Sequence, residues 1–384
     1  MSEPLIATHL NSELLYNMDY SKFGIASQEW LTFIEANPSA AQDGFTKNNP
    51  AHAAELRKSS NKARGEAGAQ SITATGLDDC VSISTVQIPC KASHSVPLRI
   101  YKPKHPRGNH LEGAVLYFHG GGYLFGDETS DDFLCCRIAD ETNACVLSVI
   151  YRHTHKYKHP AQVDDAWEAF EYVRDNADTL DPSICKALVV MGISAGCTLA
   201  ASVILRDLEL SKMQSNYTRR IRGALLGIPW LIHIDNYPSH LFKSRKVAAN
   251  IQNEGAPVVP SERLKMFSYL LGADNPADRL LNIPLLSEKE LEEWPKTAFM
   301  VAGADPLRDD GLLFAKKLEH VGVHTRTDIY PGLPHGFRRW PQLAAAQAFD
   351  ATVIECALWA FEKNNKEKYN RNRWNIYSTQ TPNS

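Results

Sequence analysis

Residues 187–205 read ALVVMGISAGCTLAASVIL, and the fold turns on this stretch. Ala187–Met191 is a continuous apolar run, the pattern of a short strand buried on both faces. Cys197–Leu205 begins with small residues and continues with aliphatic ones, which suits a helix packed closely on that strand. Between them lies Gly192-Ile193-Ser194-Ala195-Gly196. Such a turn is so tight that only small residues fit two positions either side of the serine. It places the Ser194 hydroxyl at the sheet's C-terminal edge, beside the N-terminus of the next helix. A glycine-rich loop that merely seats a helix on a strand has the same spelling, so the neighbouring segments must decide.

Outward from this turn, apolar runs alternate with helical patterns. Strands are expected at Ser82–Ile88, Pro97–Tyr101, Ala114–Phe118, Ala144–Ile150, Gly223–Ile228, Thr297–Ala302 and Thr325–Tyr330. Helices are expected at Asp131–Thr142, Gln162–Asn176, Ala195–Leu208, Gly311–Val321 and Gln342–Glu362. In Gln162–Asn176, the residues Val163, Ala166, Trp167, Phe170 and Val173 share one face. The alternation implies crossover connections and an α/β fold: a mostly parallel sheet with helices on both faces. Residues 1–75 contain helical candidates at Glu13–Tyr20 and Gln28–Glu35, followed around 57–71 by a polar stretch expected to be an exposed connection. The interval 229–292 is too long for a simple loop and is expected to be a helical insertion. Residues 365–384 are a polar tail.

Three further motifs carry chemistry. His119-Gly120-Gly121-Gly122 follows the strand AVLYF, and glycine backbone N–H groups can converge on an oxyanion without side-chain obstruction. The donors would be Gly120 and Gly121, with Ala195 from the residue after the serine. Asp305 follows the strand TAFMVA and His335 follows TDIY and a turn, so both can reach the edge where Ser194 sits. The order Ser, Asp, His is that of an α/β-hydrolase triad. Asp309 and Asp310 compete with Asp305, but they fall at the start of a helix, where the helix dipole accounts for carboxylates.

These stretches together resemble the hormone-sensitive-lipase-like branch of the α/β-hydrolases, which includes bacterial esterases and plant carboxylesterases. The resemblance rests on HGGGYLFGD at 119–127, YRHTHKYKHPAQVDDA at 151–166, GISAG at 192–196, AGADPLRDDG at 302–311 and YPGLPHGF at 330–337. It implies a central, mostly parallel eight-stranded sheet. Ser194, Asp305 and His335 would be catalytic, and Gly120, Gly121 and Ala195 would form an oxyanion hole. Residues 1–75 and 229–292 would form a helical cap over a core built from 76–228 and 293–364. Tyr123, Leu124, Ile193 and Trp230 are expected near the substrate. The chain departs from the family pattern at Ile193, at Cys197 and in the His153–Lys156 stretch. These positions bear on the substrate class. The activity implied is hydrolysis of small to medium, partly apolar carboxylic esters, without a cofactor or metal. A biosynthetic acyltransferase, dehydratase or cyclase on the same scaffold is the alternative, and a non-catalytic receptor is the third.

Composition narrows the field. With 41 Lys+Arg against 44 Asp+Glu in 384 residues, the chain has no global charge that would draw it to nucleic acid or an anionic membrane. No run approaches a bilayer span and no secretory signal is visible, so a cytoplasmic location and no stable membrane insertion are expected. The eight cysteines form no CxxC pair and are expected to be mostly reduced and buried. His153, His155 and His159 cluster without further ligands at a recognisable spacing, so a solvated or cap-facing loop is preferred to a metal site. Oligomeric state stays open, with a homodimer among the options.

Overall fold

Ala114–Phe118 (β3) and Leu188–Ile193 (β5) lie side by side and parallel, with Phe118 opposite Gly192. Every residue of β3 is buried because both of its faces are covered. Leu116 and Phe118 point into one apolar cluster, Val115 and Tyr117 into the other. The first cluster takes in the helices Ala161–Asp175, Ala195–Met213 and Arg308–His320. The second takes in Asp132–Thr142 and Ala344–Phe361. The computed structural model describes residues 15–41, 49–91, 94–108, 111–362 and 373–378.

The remaining strands are β1 (Val81–Pro89), β2 (Ser95–Pro103), β4 (Cys145–Val149), β6 (Ile221–Gly227), β7 (Lys296–Ala302), β8 (Thr325–Tyr330) and β9 (Arg373–Ile376). Their order is β1-β2-β4-β3-β5-β6-β7-β8-β9. The β1–β2 and β2–β4 pairs are antiparallel, and every other pair is parallel. The chain runs outward from β3 to β4 and then returns to the other side of β3. That reversal opens a crevice at the C-terminal ends of β3 and β5, where ligands bind in open α/β sheets.

Among the described residues the sheet has nine strands where eight were expected. The extra one comes from the polar tail. β9 pairs parallel to β8, Trp374 Nε1 donates to Glu319 at 2.6 Å, and the Tyr377 ring packs 5.4 Å from Tyr330. The N-terminal segment also departs from expectation. The expected helix at Glu13–Tyr20 lies partly outside the described residues, and within them Met18 instead forms a parallel bridge with Phe242. Gln28–Ala36 is helical as expected. The stretch expected to be an exposed connection belongs to a 23-residue helix, Ala53–Thr75. Apart from Ala53, Leu56 and Ile72, its inward positions, among them 57, 61, 64, 65 and 68, are polar or glycine, so little apolar periodicity marks them. Gly65 lets this helix approach Thr129 closely: a Cβ there would fall 2.6 Å from the Thr129 hydroxyl oxygen.

All eight cysteines are free thiols, with Cys185 exposed and Cys80 and Cys90 partly exposed. No helix among the described residues is long and apolar enough to cross a membrane.

Candidate active site

The β5 strand ends in the turn that the sequence predicts. Ser194 has φ 54° and ψ −120° and caps the helix Ala195–Met213. This conformation is strained for a residue with a side chain, and the packing around it enforces it. A Cβ on Gly192 would lie 2.3 Å from the Gly196 carbonyl oxygen, and one on Gly196 would lie 2.1 Å from that of Phe118. Only glycine fits either place, which lets the helix start pack against β5 and the end of β3. Ser194 N–H donates to Gly227 O at 2.8 Å, tying the turn to β6.

His335 follows β8. Its Nε2 lies 2.9 Å from Ser194 Oγ, and its Nδ1 lies 2.6 Å from Asp305 Oδ2. Asp305 follows β7, and its other carboxylate oxygen accepts the Leu307 N–H at 2.8 Å. All three side chains are buried, with Ser194 the most open at 7% exposure. The structure therefore brings together Ser194, His335 and Asp305 from the ends of three strands in one hydrogen-bonded chain.

The glycine loop after β3 runs alongside. A Cβ on Gly120 would sit 3.3 Å from Ser194 Cβ. The Ala195 N–H lies in the first helical turn, where no intrahelical acceptor exists. Tyr123 is buried with φ 60°, and its ring centroid is 5.4 Å from that of Trp230. Trp230 donates its indole N–H to Ile232 O at 2.8 Å. Leu124 is fully buried and Ile193 is partly exposed. Phe267, from the helix Ser261–Leu271, lies directly on the loop: a Cβ on Gly122 would fall 2.2 Å from its ring. Tyr269, on the same helix, is 72% exposed. Cys197 is buried, and its thiol donates to Gly192 O at 3.1 Å.

Asp309 and Asp310 hold the 229–292 insertion. Asp310 Oδ2 accepts the Leu231 and Ile232 N–H groups at 2.9 and 3.0 Å. Asp309 Oδ2 accepts Tyr237 Oη–H at 2.7 Å and the Ala249 N–H at 2.6 Å. Arg308 donates to Val247 O at 3.0 Å, and Asn253 Nδ2 donates to Asp305 O at 3.0 Å. The segment that supplies Asp305 thus also anchors the insertion beside it.

The three neighbouring histidines part company. His153 is buried, stacked 5.3 Å from His119 and 5.0 Å from Tyr151. His159 Nε2 pairs with Asp278 at 2.8 Å. Among the described residues, no three His, Cys, Asp or Glu side chains are grouped to hold a metal ion.

Sequence reasoning missed the residues behind the glycine loop. Asn61 Nδ2 donates to Gly126 O at 3.0 Å, and Gly126 N–H donates back to Asn61 Oδ1 at 2.8 Å. Arg57 donates to Leu124 O. Arg64 reaches Gly120 O at 3.3 Å and Asp131 Oδ1 at 3.0 Å. The available signal was spacing: Arg57, Asn61 and Arg64 fall on one helical face.

A serine on a strained strand-to-helix turn, a histidine and an aspartate from successive strand ends, and a glycine loop beside them define the α/β-hydrolase class. The chain belongs to the α/β-hydrolase fold family, in its hormone-sensitive-lipase-like branch: the family model, described as alpha/beta hydrolase fold, matches residues 115–339. It is 30% identical over 69% of its length to the versiconal hemiacetal acetate esterase of Dothistroma septosporum, covering 77% of that protein. It is 29% identical over 81% of its length to the ethyl acetate hydrolase of Pseudomonas putida, covering 90% of it. Among solved structures, vibralactone cyclase superposes with a TM-score of 0.78 at 23% identity, over 88% of this chain and 96% of that one. At that identity the likeness speaks for the fold.

Proposed function

We propose that this protein is a serine esterase that hydrolyses carboxylic esters of small to medium, partly apolar molecules. The carrying observation is the chain Ser194 Oγ–His335 Nε2 at 2.9 Å and His335 Nδ1–Asp305 Oδ2 at 2.6 Å. As Ser194 Oγ attacks the ester carbonyl, His335 Nε2 takes its proton. The Asp305 carboxylate holds the imidazole by Nδ1–H and stabilises its cationic form. Carbonyl oxygen becomes an oxyanion facing the N–H groups of Gly120, Gly121 and Ala195. When the tetrahedral intermediate collapses, His335 gives the proton to the departing alcohol and an acyl-enzyme remains. Water, deprotonated by the same histidine, then releases the acid and restores the Ser194 hydroxyl.

Tyr123, Trp230 and Phe267 form an aromatic wall on the glycine loop, and Leu124 and Ile193 flank it. The Ala53–Thr75 helix and the 229–292 insertion act as a cap that keeps water and bulky esters from the serine. Two relatives are named for acetate esters, which favours a short acyl group.

The test is turnover of p-nitrophenyl acetate, butyrate, octanoate and palmitate by the native protein and by Ser194→Ala. Turnover is expected to be strongest with the short esters and to fall by at least about 10⁴-fold in the variant. A Ser194→Ala protein as active as the native one would sink the mechanism.

A further inference from the structure

We propose that Arg64, on the N-terminal helix, is a positioning residue of the oxyanion hole and acts through the Gly120–Gly121 peptide. This inference rests on the esterase reading and on the assignment of Gly121 N–H as a donor.

A peptide unit joins the carbonyl of one residue to the N–H of the next. A donor on Gly120 O therefore polarises the Gly121 N–H. The Gly120 oxygen has two donors within reach: Arg64 Nη1 at 3.3 Å, and His119 Nδ1 at 3.0 Å when that nitrogen carries the proton. One is a cation and the other a buried imidazole. Burial, and then the Arg64 charge, push His119 down to about 4, so near neutral pH it is the uncharged imidazole. That leaves Arg64 as the charged group on this carbonyl. Hydrogen bonds in series strengthen one another, and a fixed peptide plane aims its N–H where charge will develop.

Arg64 is itself held. Its Nη2 donates to Asp131 Oδ1 at 3.0 Å, while Asp131 Oδ2 accepts Tyr117 Oη–H at 2.7 Å. Burial alone would raise the Asp131 carboxyl, yet Arg64 and Arg338 hold it below its usual range, so it stays an anion. The planar guanidinium places one nitrogen on the aspartate and another on the peptide oxygen, a fork that a lysine cannot reproduce. On either side, Arg57 holds Leu124 O and Asn61 holds both backbone groups of Gly126. The loop is thereby gripped at Gly120, Leu124 and Gly126 by a single helix.

Arg64→Lys keeps the charge beside Asp131 but cannot hold both oxygens. With p-nitrophenyl acetate its kcat is expected to fall about tenfold while KM stays within about twofold and the melting temperature changes little. A trifluoromethyl ketone, whose serine adduct carries an oxyanion, is expected to bind weaker by the same factor. The corresponding alcohol, which forms no adduct, is expected to bind equally well. Asp131→Asn breaks the ion pair yet leaves a guanidinium nitrogen for Gly120 O, so its kcat is expected to stay within about threefold of native. Native kcat in Arg64→Lys overturns the proposal. So does an Asp131→Asn loss equal to that of Arg64→Lys, because the ion pair's hold on the helix would then account for everything. A native protein with no Ser194-dependent turnover removes the esterase reading itself, an outcome seen before any Arg64 variant is compared.

Discussion

Asp305 spends one carboxylate oxygen on a backbone N–H and the other on His335, so its side chain has a single orientation available. Asp305→Asn would keep the shape and the Leu307 contact but present an amide N–H or a neutral oxygen to His335. Near neutral pH the expected result is a normally folded protein with kcat about 10⁴-fold lower, checked by ester turnover beside a circular dichroism melt. Ser194, Asp305 and His335 were legible because each follows an apolar strand and lies in a motif of small residues and turns. The duties of Asp309 and Asp310 were not. In sequence they resemble any acidic helix start, and only the tertiary fold shows Leu231, Ile232 and Ala249 offering them backbone N–H groups. Arg64 was illegible for a related reason: an arginine in a polar run looks solvated until the loop it touches is in place.

Among the elements, the eight strands expected from apolar runs and turn signals all form, with ends shifted by a residue or two. The signal is strongest for inner strands such as β3, because a parallel strand covered on both faces must be apolar throughout. The ninth, Arg373–Ile376, is short and lies in a polar tail. It exists because the edge of β8 offers free ladder positions and because Trp374 and Tyr377 find partners there. The Ala53–Thr75 helix escaped notice because, between its apolar ends at Ala53, Leu56 and Ile72, it docks by hydrogen bonds. This makes a stability prediction. Asn61→Ala leaves both backbone groups of Gly126 without their side-chain partner, and the expected loss is about 2 kcal/mol, read as a lower urea midpoint. An unchanged midpoint would show that the amide pair adds nothing to the docking.

At the scale of the whole molecule, buried histidines tie stability to pH. Burial first, then His119 and Arg57, hold the His153 imidazole well below its ordinary value. As the pH falls below about 6.5, the unfolded chain takes up a proton that the folded chain refuses, so stability declines with acid. Asp207 and Asp310, whose carboxyls burial raises, act in the opposite sense. The useful measurement is therefore a difference. His153→Phe keeps a ring in the stack and removes the proton. Between about pH 7 and pH 5 its folding stability is expected to fall less steeply than native, by up to about 1.4 kcal/mol per pH unit. Parallel urea midpoints would place His153 outside the acid response. The seam between Ala53–Thr75 and the loop from Gly120 to Asp131 also matters to anyone shuffling segments among relatives. A foreign N-terminus without an amide at position 61 and a guanidinium at 64 would cover the core yet leave the glycine loop slack. The two segments are a single cassette, and a chimera that splits them would lose rate while its specificity was being redesigned.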